Sequence, residues 1–444
     1  MTRGKPSEAL TRFAVPIILS NILQQLYNII DSLVAGKFLG GSSLAAIGST
    51  GSIVTVLVQV SAGLALGASV VIAQYYGAGK LDKIRVCGRT MAIFCAGAGV
   101  VVTILVIVFA APLLRLIKTP DTLMAPSLIY LRVYFSSAFA AFVYNAYSAC
   151  YIAIGNSRKP LYYLIAAFLI NVVGDLSFVL IFHMREGGIA LSSAIAQYVC
   201  MILAMIDLPR ELSGNGIPKT RIFFNRQELG LMLKIALPAA LQMSVVSVGN
   251  VMLQTTINTF GAIVIAGCTA ANKVVNLVTA VTANIGDALS TYVAQNIGAN
   301  QYNRIGQGIK AALKLGVTIS LVMTAVLEIW PGQVIGFFID FNNKEEAGAV
   351  LRVGVAYLRV VAAFFVLFAV FMAVKNVFKG SGDMMAFLMT TVGSLGVRVA
   401  CAMILCPLFG ETMIWWSLAI GWITATIPTI MYYYSGRWKR SAIV

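Results

Sequence analysis

Apolar runs of about 20 residues recur along the whole chain, and no other feature limits its fold so strongly. A helix rises about 1.5 Å per residue, so about 20 apolar residues cross the hydrocarbon of a bilayer. Runs of this kind fall at 13–35, 44–73, 90–114, 126–154, 161–182, 189–206, 231–257, 264–294, 311–332, 350–379, 386–408 and 413–434. Hydrocarbon offers no partner to a free backbone N–H, so each run must be helical. The expected fold is an all-α polytopic membrane protein with twelve transmembrane helices. Composition agrees: 11% of residues are charged, against about 25% in soluble domains. The opening MTRGKPSEALTR is polar, and the first apolar run is long enough to span, so no cleavable leader is expected.

The net charge of +16 is distributed unevenly. With twelve spans, the termini and the even-numbered connections lie on one side. That side holds, among others, Arg3, Lys5, Lys80, Lys83, Arg85, Arg89, Arg158, Lys219, Arg221, Arg226, Arg304 and Arg437. The other side holds Lys37, Arg115, Lys118, Arg185 and Lys344. Basic loops face the cytoplasm, so both termini are expected there, in the plasma (inner) membrane. The charge is a topology signal, and no nucleic-acid partner is expected.

The chain repeats itself. RFAVPIIL (from 12) matches KIALPAAL (from 234), IAQYYGAGKLDKI (72–84) matches VAQNIGANQYNRI (293–305), and YLRVYF (130–135) matches YLRVVA (357–362). Six helices are therefore duplicated in parallel, a design in which a transported substrate passes between the halves. The polar stretch 207–230 reads as a cytoplasmic linker between an N-terminal lobe, 1–206, and a C-terminal lobe, 231–444. Pro16 and Pro238 occupy equivalent places in helices 1 and 7. Each frees a carbonyl and kinks its helix.

Polar residues inside the spans locate the chemistry. Asn21, Gln24, Asn28 and Asp31 share one face of helix 1, and Asn171 and Asp175 stack one turn apart on helix 5. Helix 6 offers Ser192, Ser193 and Gln197. Asp31 lies about 27 Å from the cytoplasmic end of its helix, Asp175 about 21 Å, and Ser193 about 6 Å from the outer end. All arrive in the outer part of the first lobe. A carboxylate in hydrocarbon costs at least about 2.5–3.5 kcal/mol near a helix centre. These acids therefore sit at the outer interface, or bind a proton or a cation such as Na⁺. The second half lacks the set and carries Lys273, Lys375 and Arg398 within its spans. Lys375 either snorkels or faces a cavity.

Other chemistries find no support. The seven cysteines form no CxxC, and there is one histidine, His183, in a short turn. No cofactor is expected. There is no GxxxxGK[ST] loop for a nucleotide, so an ion gradient is the economical energy source. No enzymatic activity is expected.

The segments LTRFAVPIILSNILQQLYNIIDSLVAGKFLG, LAAIGSTG, GASVVIAQYYGAGK, LRVYF, AIGNSRKPL and YYYSGRWKR resemble the multidrug and toxic compound extrusion (MATE) family, in family order and over nearly the whole chain. The resemblance implies two pseudo-symmetric six-helix lobes around a V-shaped cavity of alternating access. It implies a secondary antiporter that exports amphipathic drug-like compounds in exchange for H⁺ or Na⁺. Its ion site falls on Asp31, Asn171, Asp175 and Ser193, where Ser193 replaces a common Thr and keeps the hydroxyl, and where Na⁺ would bind if Na⁺ is the coupling ion. Gln24, Tyr27, Asn28, Lys375 and Arg398 are candidate substrate-cavity residues. Some family branches also carry acids on helices 7 and 10; here LQMSVVSVGNVMLQ has none and VFMAVKNVF has Lys375. The expected partners are a small-molecule substrate and membrane lipid, with the chain acting as a monomer. An alternative is a flippase for a lipid-linked precursor, which the cationic Lys273, Lys375 and Arg398 would suit. A receptor without transport is a third class, against which the repeat and the buried acids argue.

Overall fold

The computed structural model describes residues 1–339 and 344–443. The side chain of Lys344, counted above on the sparse face, lies outside that description. The helices are α1 (Pro6–Val34), α2 (Gly41–Gly77), α3 (Leu81–Leu116), α4 (Asp121–Phe135), α5 (Ala138–Ala153), α6 (Arg158–Leu176), α7 (Arg185–Gly214) and α8 (Arg226–Asn258). They continue as α9 (Ala262–Gly298), α10 (Tyr302–Ile329), α11 (Pro331–Gly336), α12 (Lys344–Ala362), α13 (Phe365–Ser381), α14 (Met384–Phe409) and α15 (Thr412–Tyr434). Ten are long and apolar enough to cross a membrane singly. The pairs α4/α5 and α12/α13, bent by 42° and 51°, complete twelve spans. Most helices outrun their apolar stretches at one or both ends, because their polar first and last turns continue the same helix. On α3, Val101, Ile104, Leu105 and Val108 are all exposed. Their spacing makes one apolar stripe, the surface a helix turns toward lipid.

The duplication reaches single residues. Each bent pair lies at the same place in its repeat. Gly40 before α2 and Gly261 before α9 share a backbone conformation (φ 90°, ψ 175° and φ 85°, ψ 172°) that only glycine adopts without strain. Gly79 after α2 and Asn300 after α9 both have positive φ, at 72° and 55°.

The chain divides into two compact units, one of Val15–Ala240 and one of Met1–Ala14 with Leu241–Val444. This division differs from the sequence reading, which places it at a 207–230 linker. The break falls beside Pro16 in α1 and Pro238 in α8 instead, so each proline-bearing helix is shared between the units.

Within Val15–Ala240, two features explain why the start of α8 belongs there. Gly63 and Gly67 of α2 face Ala240 and Ala236 of α8: a Cβ on Gly63 would stand 2.8 Å from the Ala240 Cα, and one on Gly67 2.8 Å from the Ala236 Cβ and nearer still to the Met232 carbonyl. Small residues four apart on both helices allow this close backbone approach, and in a membrane such packing holds helices together. At the end of the same contact, buried Glu228 accepts from the Tyr75 hydroxyl at 2.8 Å and from Lys83 Nζ at 3.0 Å. Residues 207–230 are likewise not a free linker. Helix α7 runs on to Gly214, and Arg85 of α3 donates to the Pro218 carbonyl at 3.1 Å and to Ser213 Oγ at 3.1 Å.

The unit of Met1–Ala14 and Leu241–Val444 is held by a large apolar core from α8, α9, α12, α13, α14 and α15, in which Tyr357 stacks on Trp415 and Phe368 packs on Trp422. Its first residues are tied to it by Arg304, which donates to the Gly4 carbonyl at 2.9 Å.

Candidate ion-coupling site

The site forms where α1, α6 and α7 meet inside the unit Val15–Ala240. Gly174 of α6 permits it: a Cβ there would stand 2.8 Å from the Ser192 Cβ. Without that side chain, α7 lies close enough to α6 for Ser192 Oγ to donate to Asp175. Asn171, one turn earlier on α6, points Nδ2 at Ser192 Oγ (3.2 Å) and Ser193 Oγ (3.5 Å). From α1, Asp31 accepts from Ser193 Oγ at 3.3 Å. Asp31 is 4% exposed, while Asn171, Asp175 and Ser193 are fully enclosed. All four expected site residues therefore converge, and both acids are enclosed by protein.

The hydrogen bonds leave a deficit of protons. The two carboxyl groups adjoin each other. Asp31 Oδ1, Asp175 Oδ2 and Asn171 Oδ1 are buried with no donor, and the Tyr27 hydroxyl is buried beside them without a completed hydrogen bond. Buried oxygens are almost always satisfied, and two carboxylates sharing a dry site cannot both stay charged without compensation. A proton between the acids or a small hard cation among the oxygens would meet the deficit.

Both acid-bearing helices change form immediately past their acids. Helix α1 passes into a π-helical turn at Ala35–Leu39, and α6 into another at Ser177–Ile181. These are the π-helical turns among the described residues, and such turns are frequent at functional sites. An apolar cluster of Val34, Ala35, Ile47, Tyr130, Val179 and Ile189 packs around them. Beside Gly174 and Ser192 lies a cleft of about 410 Å³ lined by Leu169, Val173, Phe178 and Ile195; its apolar walls and exposed Val173 place it on the lipid side.

The sequence reading named Ser192 but left it out of the ion site, and it gave Tyr130 no role there. Ser192 was one of two adjacent hydroxyls, and spacing alone could not assign both. They both serve because Asp31 and Asp175 approach α7 from different helices. Tyr130 of α4 is buried near both acids, and its only signal was membership of the repeated YLRV motif.

The candidate cavity residues are scattered. Gln24 and Asn28 are exposed on α1 and Tyr27 is half-buried beside Asp31. Lys375 and Arg398 belong to the other unit. Lys375 neither snorkels nor pairs: it is 5% exposed, its ammonium lies 4.4 Å from the Phe387 ring centroid and 5.6 Å from that of Phe371. Asp287, the acid nearest in charge to it, is bound to Lys379 at 2.9 Å. Arg398 is half-buried on α14 with its Nε unsatisfied.

The chain is 26% identical to the probable multidrug resistance protein YpnP of Bacillus subtilis (strain 168) over 447 residues, which cover 99% of this chain and 97% of that protein. It is 21% identical to the multidrug export protein MepA of Staphylococcus aureus over 428 residues, covering 96% and 93%. Its fold matches that of a multidrug resistance MATE family transporter of the MOP superfamily in an outward-facing conformation, with a TM-score of 0.89, 22% identity and coverage of 99% and 97%. The MatE family model matches the chain twice, over 16–176 and 238–404, once for each repeat and beginning each time at the helix proline. With both halves of the chain accounted for in this way, the protein belongs to the MATE family of multidrug efflux transporters.

Proposed function

We propose that this chain is a secondary antiporter of the plasma membrane that exports amphipathic drug-like compounds in exchange for H⁺ or Na⁺ by alternating access. Both termini face the cytoplasm, and a single chain is the working unit. The observation that carries the coupling is the enclosed pair Asp31 and Asp175 with unsatisfied oxygens on three neighbouring side chains. Loading a proton or Na⁺ there removes charge from a dry site and redistributes the hydrogen bonds of Ser192, Ser193 and Asn171. Because α1 carries both Asp31 and the helix-weakening Pro16, the loaded and empty sites favour different shapes of α1. An ion drives transport only through such a difference in affinity between two states. Tyr27, Gln24 and Asn28, on the same helix as Asp31, are the candidate substrate contacts of this unit, and Lys375 and Arg398 those of the other.

The test is uptake of a panel of dyes and drugs into proteoliposomes under separately imposed Na⁺ and H⁺ gradients. Asp31→Asn and Asp175→Asn should each abolish gradient-driven transport while leaving insertion and folding intact. Full transport by both variants would overturn the assignment.

A further inference from the structure

The connection between α7 and α8 carries an exposed apolar patch that the transport site does not use. Ile222, Phe223 and Phe224 are 50%, 69% and 46% exposed. Around them, Lys219, Arg221 and Arg226 are exposed, and none of the three makes an ion pair among the described residues. The nearby acids are committed elsewhere: Glu211 to Asn156 and Asn215, and Glu228 to Tyr75 and Lys83.

The patch is held in place. Arg89 donates to the Thr220 carbonyl at 2.8 Å and stacks its guanidinium over the Phe223 ring at 5.1 Å. Thr90 Oγ1 accepts from the Asn225 N–H at 3.0 Å, and Asn225 Oδ1 accepts from the N–H groups of Gln227 and Glu228 at 2.9 and 3.2 Å, capping α8. Arg89 and Thr90 stand about 12–14 Å along α3 from its first residue, directly before the apolar run that opens with Met91. The connection therefore folds back along α3 to the level at which hydrocarbon begins. Its aromatic rings thus lie beside the start of the α3 apolar run, with unpaired cations next to them.

We propose that residues 219–226 are a docking surface for anionic phospholipid headgroups of the surrounding leaflet. Aromatic rings seat in the interface, and each unpaired Lys or Arg adds attraction to an anionic surface that salt weakens. The rigid tether through Arg85 and Arg89 transmits this anchoring to the start of α8. The inference needs only the reading of the chain as a membrane protein, so it stands or falls independently of the ion-coupling assignment.

The test uses Phe223→Cys labelled with an environment-sensitive fluorophore in lipid nanodiscs. Phe223 is exposed and six of the seven native cysteines are buried; the partly exposed Cys401 is changed to Ala in the background so that the label reports position 223, and the Arg89–Thr220 hydrogen bond still holds the segment. In discs of phosphatidylcholine with about a third phosphatidylglycerol, the emission should shift to the blue and spin-labelled lipid should quench it. Both effects should fall at least twofold in phosphatidylcholine alone, in high salt, or when Lys219, Arg221 and Arg226 are all changed to Gln. A second readout is native mass spectrometry of the unlabelled protein, in which the triple variant should retain fewer phosphatidylglycerol molecules. A label that stays in water in both lipids overturns the docking surface. Equal insertion in neutral and anionic discs overturns the anionic headgroup as its partner.

Discussion

Replacing Gly67 by Ala tests whether the close approach of α2 and α8 holds the start of α8 in its unit. The added Cβ would stand 2.8 Å from the Ala236 Cβ and closer to the Met232 carbonyl, and carbon atoms make ordinary contact from 3.4 Å outward. The helices must separate by at least about 0.6 Å, in an interior that is already close-packed. Overpacking of this kind costs about 1–3 kcal/mol, offset by the gain of about 0.5–1 kcal/mol from replacing a helical glycine. A net loss of about 0–2.5 kcal/mol, centred near 1, is expected. Gly63→Ala meets Ala240, at 2.8 Å from its Cα, 3.0 Å from its N and 3.1 Å from its Cβ, and should lose less than Gly67→Ala, which meets both Met232 and Ala236. Gly48→Ala, on the same helix with nothing within 4 Å, carries the propensity gain without the clash and should match or exceed the parent. Reversible denaturant unfolding in detergent, followed by circular dichroism, measures all three. Adding Ala236→Gly to Gly67→Ala should recover part of the loss, because the Met232 carbonyl remains. If Gly67→Ala is as stable as Gly48→Ala, or if Gly63→Ala is the worst of the three, packing between these helices does not place α8.

Gly174→Ala should push Ser192 away from Asp175 and reduce gradient-driven transport at least tenfold while the protein still inserts, as read in proteoliposomes; unchanged transport would show that this contact is dispensable. Glu228→Ala leaves the buried Tyr75 hydroxyl without its acceptor and should cost about 1–3 kcal/mol, whereas Lys83→Met, at a side chain 42% exposed, should cost under about 1 kcal/mol in the same unfolding assay. Gly40→Ala and Gly261→Ala meet no neighbour, yet each should lose about 1–3 kcal/mol because alanine strains that backbone. Lys375→Met removes an ammonium with no hydrogen bond or ion pair among the described residues and should leave stability unchanged or raised.

The spans were legible because lipid imposes one rule on every segment, and an apolar run long enough to cross must be a helix. Asp31, Asn171, Asp175 and Ser193 were legible for the same reason, since polar residues in hydrocarbon must find one another, and helical spacing says which face each occupies. The bends between α4 and α5 and between α12 and α13 were not legible. No proline stands at Ser136–Ser137 or Ala363–Phe364, so the break is set by neighbours rather than by the local sequence. The π-helical turns past Asp31 and Asp175 left no trace either, because they change backbone pairing without a residue type that demands it. The contacts that tie 213–225 to α3 were not legible in the polar stretch, because they come from Arg85, Arg89 and Thr90, more than 100 residues earlier.

The two repeats keep one framework and give it opposite charge. Tyr130 and Tyr357 open the repeated YLRV motif. In Val15–Ala240, Tyr130 lies near Asp31 and Asp175. In the other unit, Tyr357 lies near Arg398, close to the position that corresponds to Asp175, and donates to Asn272 Oδ1 at 2.7 Å. Where the second repeat would carry Asp31, the apolar Leu253 is buried. A cation approaching this place would meet the Arg398 guanidinium instead of the paired carboxylates found in the first repeat. On the proposed mechanism, the charge of one repeat changes through the cycle while that of the other is constant. Gradient energy then enters the molecule through α1, α6 and α7 alone. Pro16 becomes the place through which it acts, because α1 carries both that proline and an acid of the site.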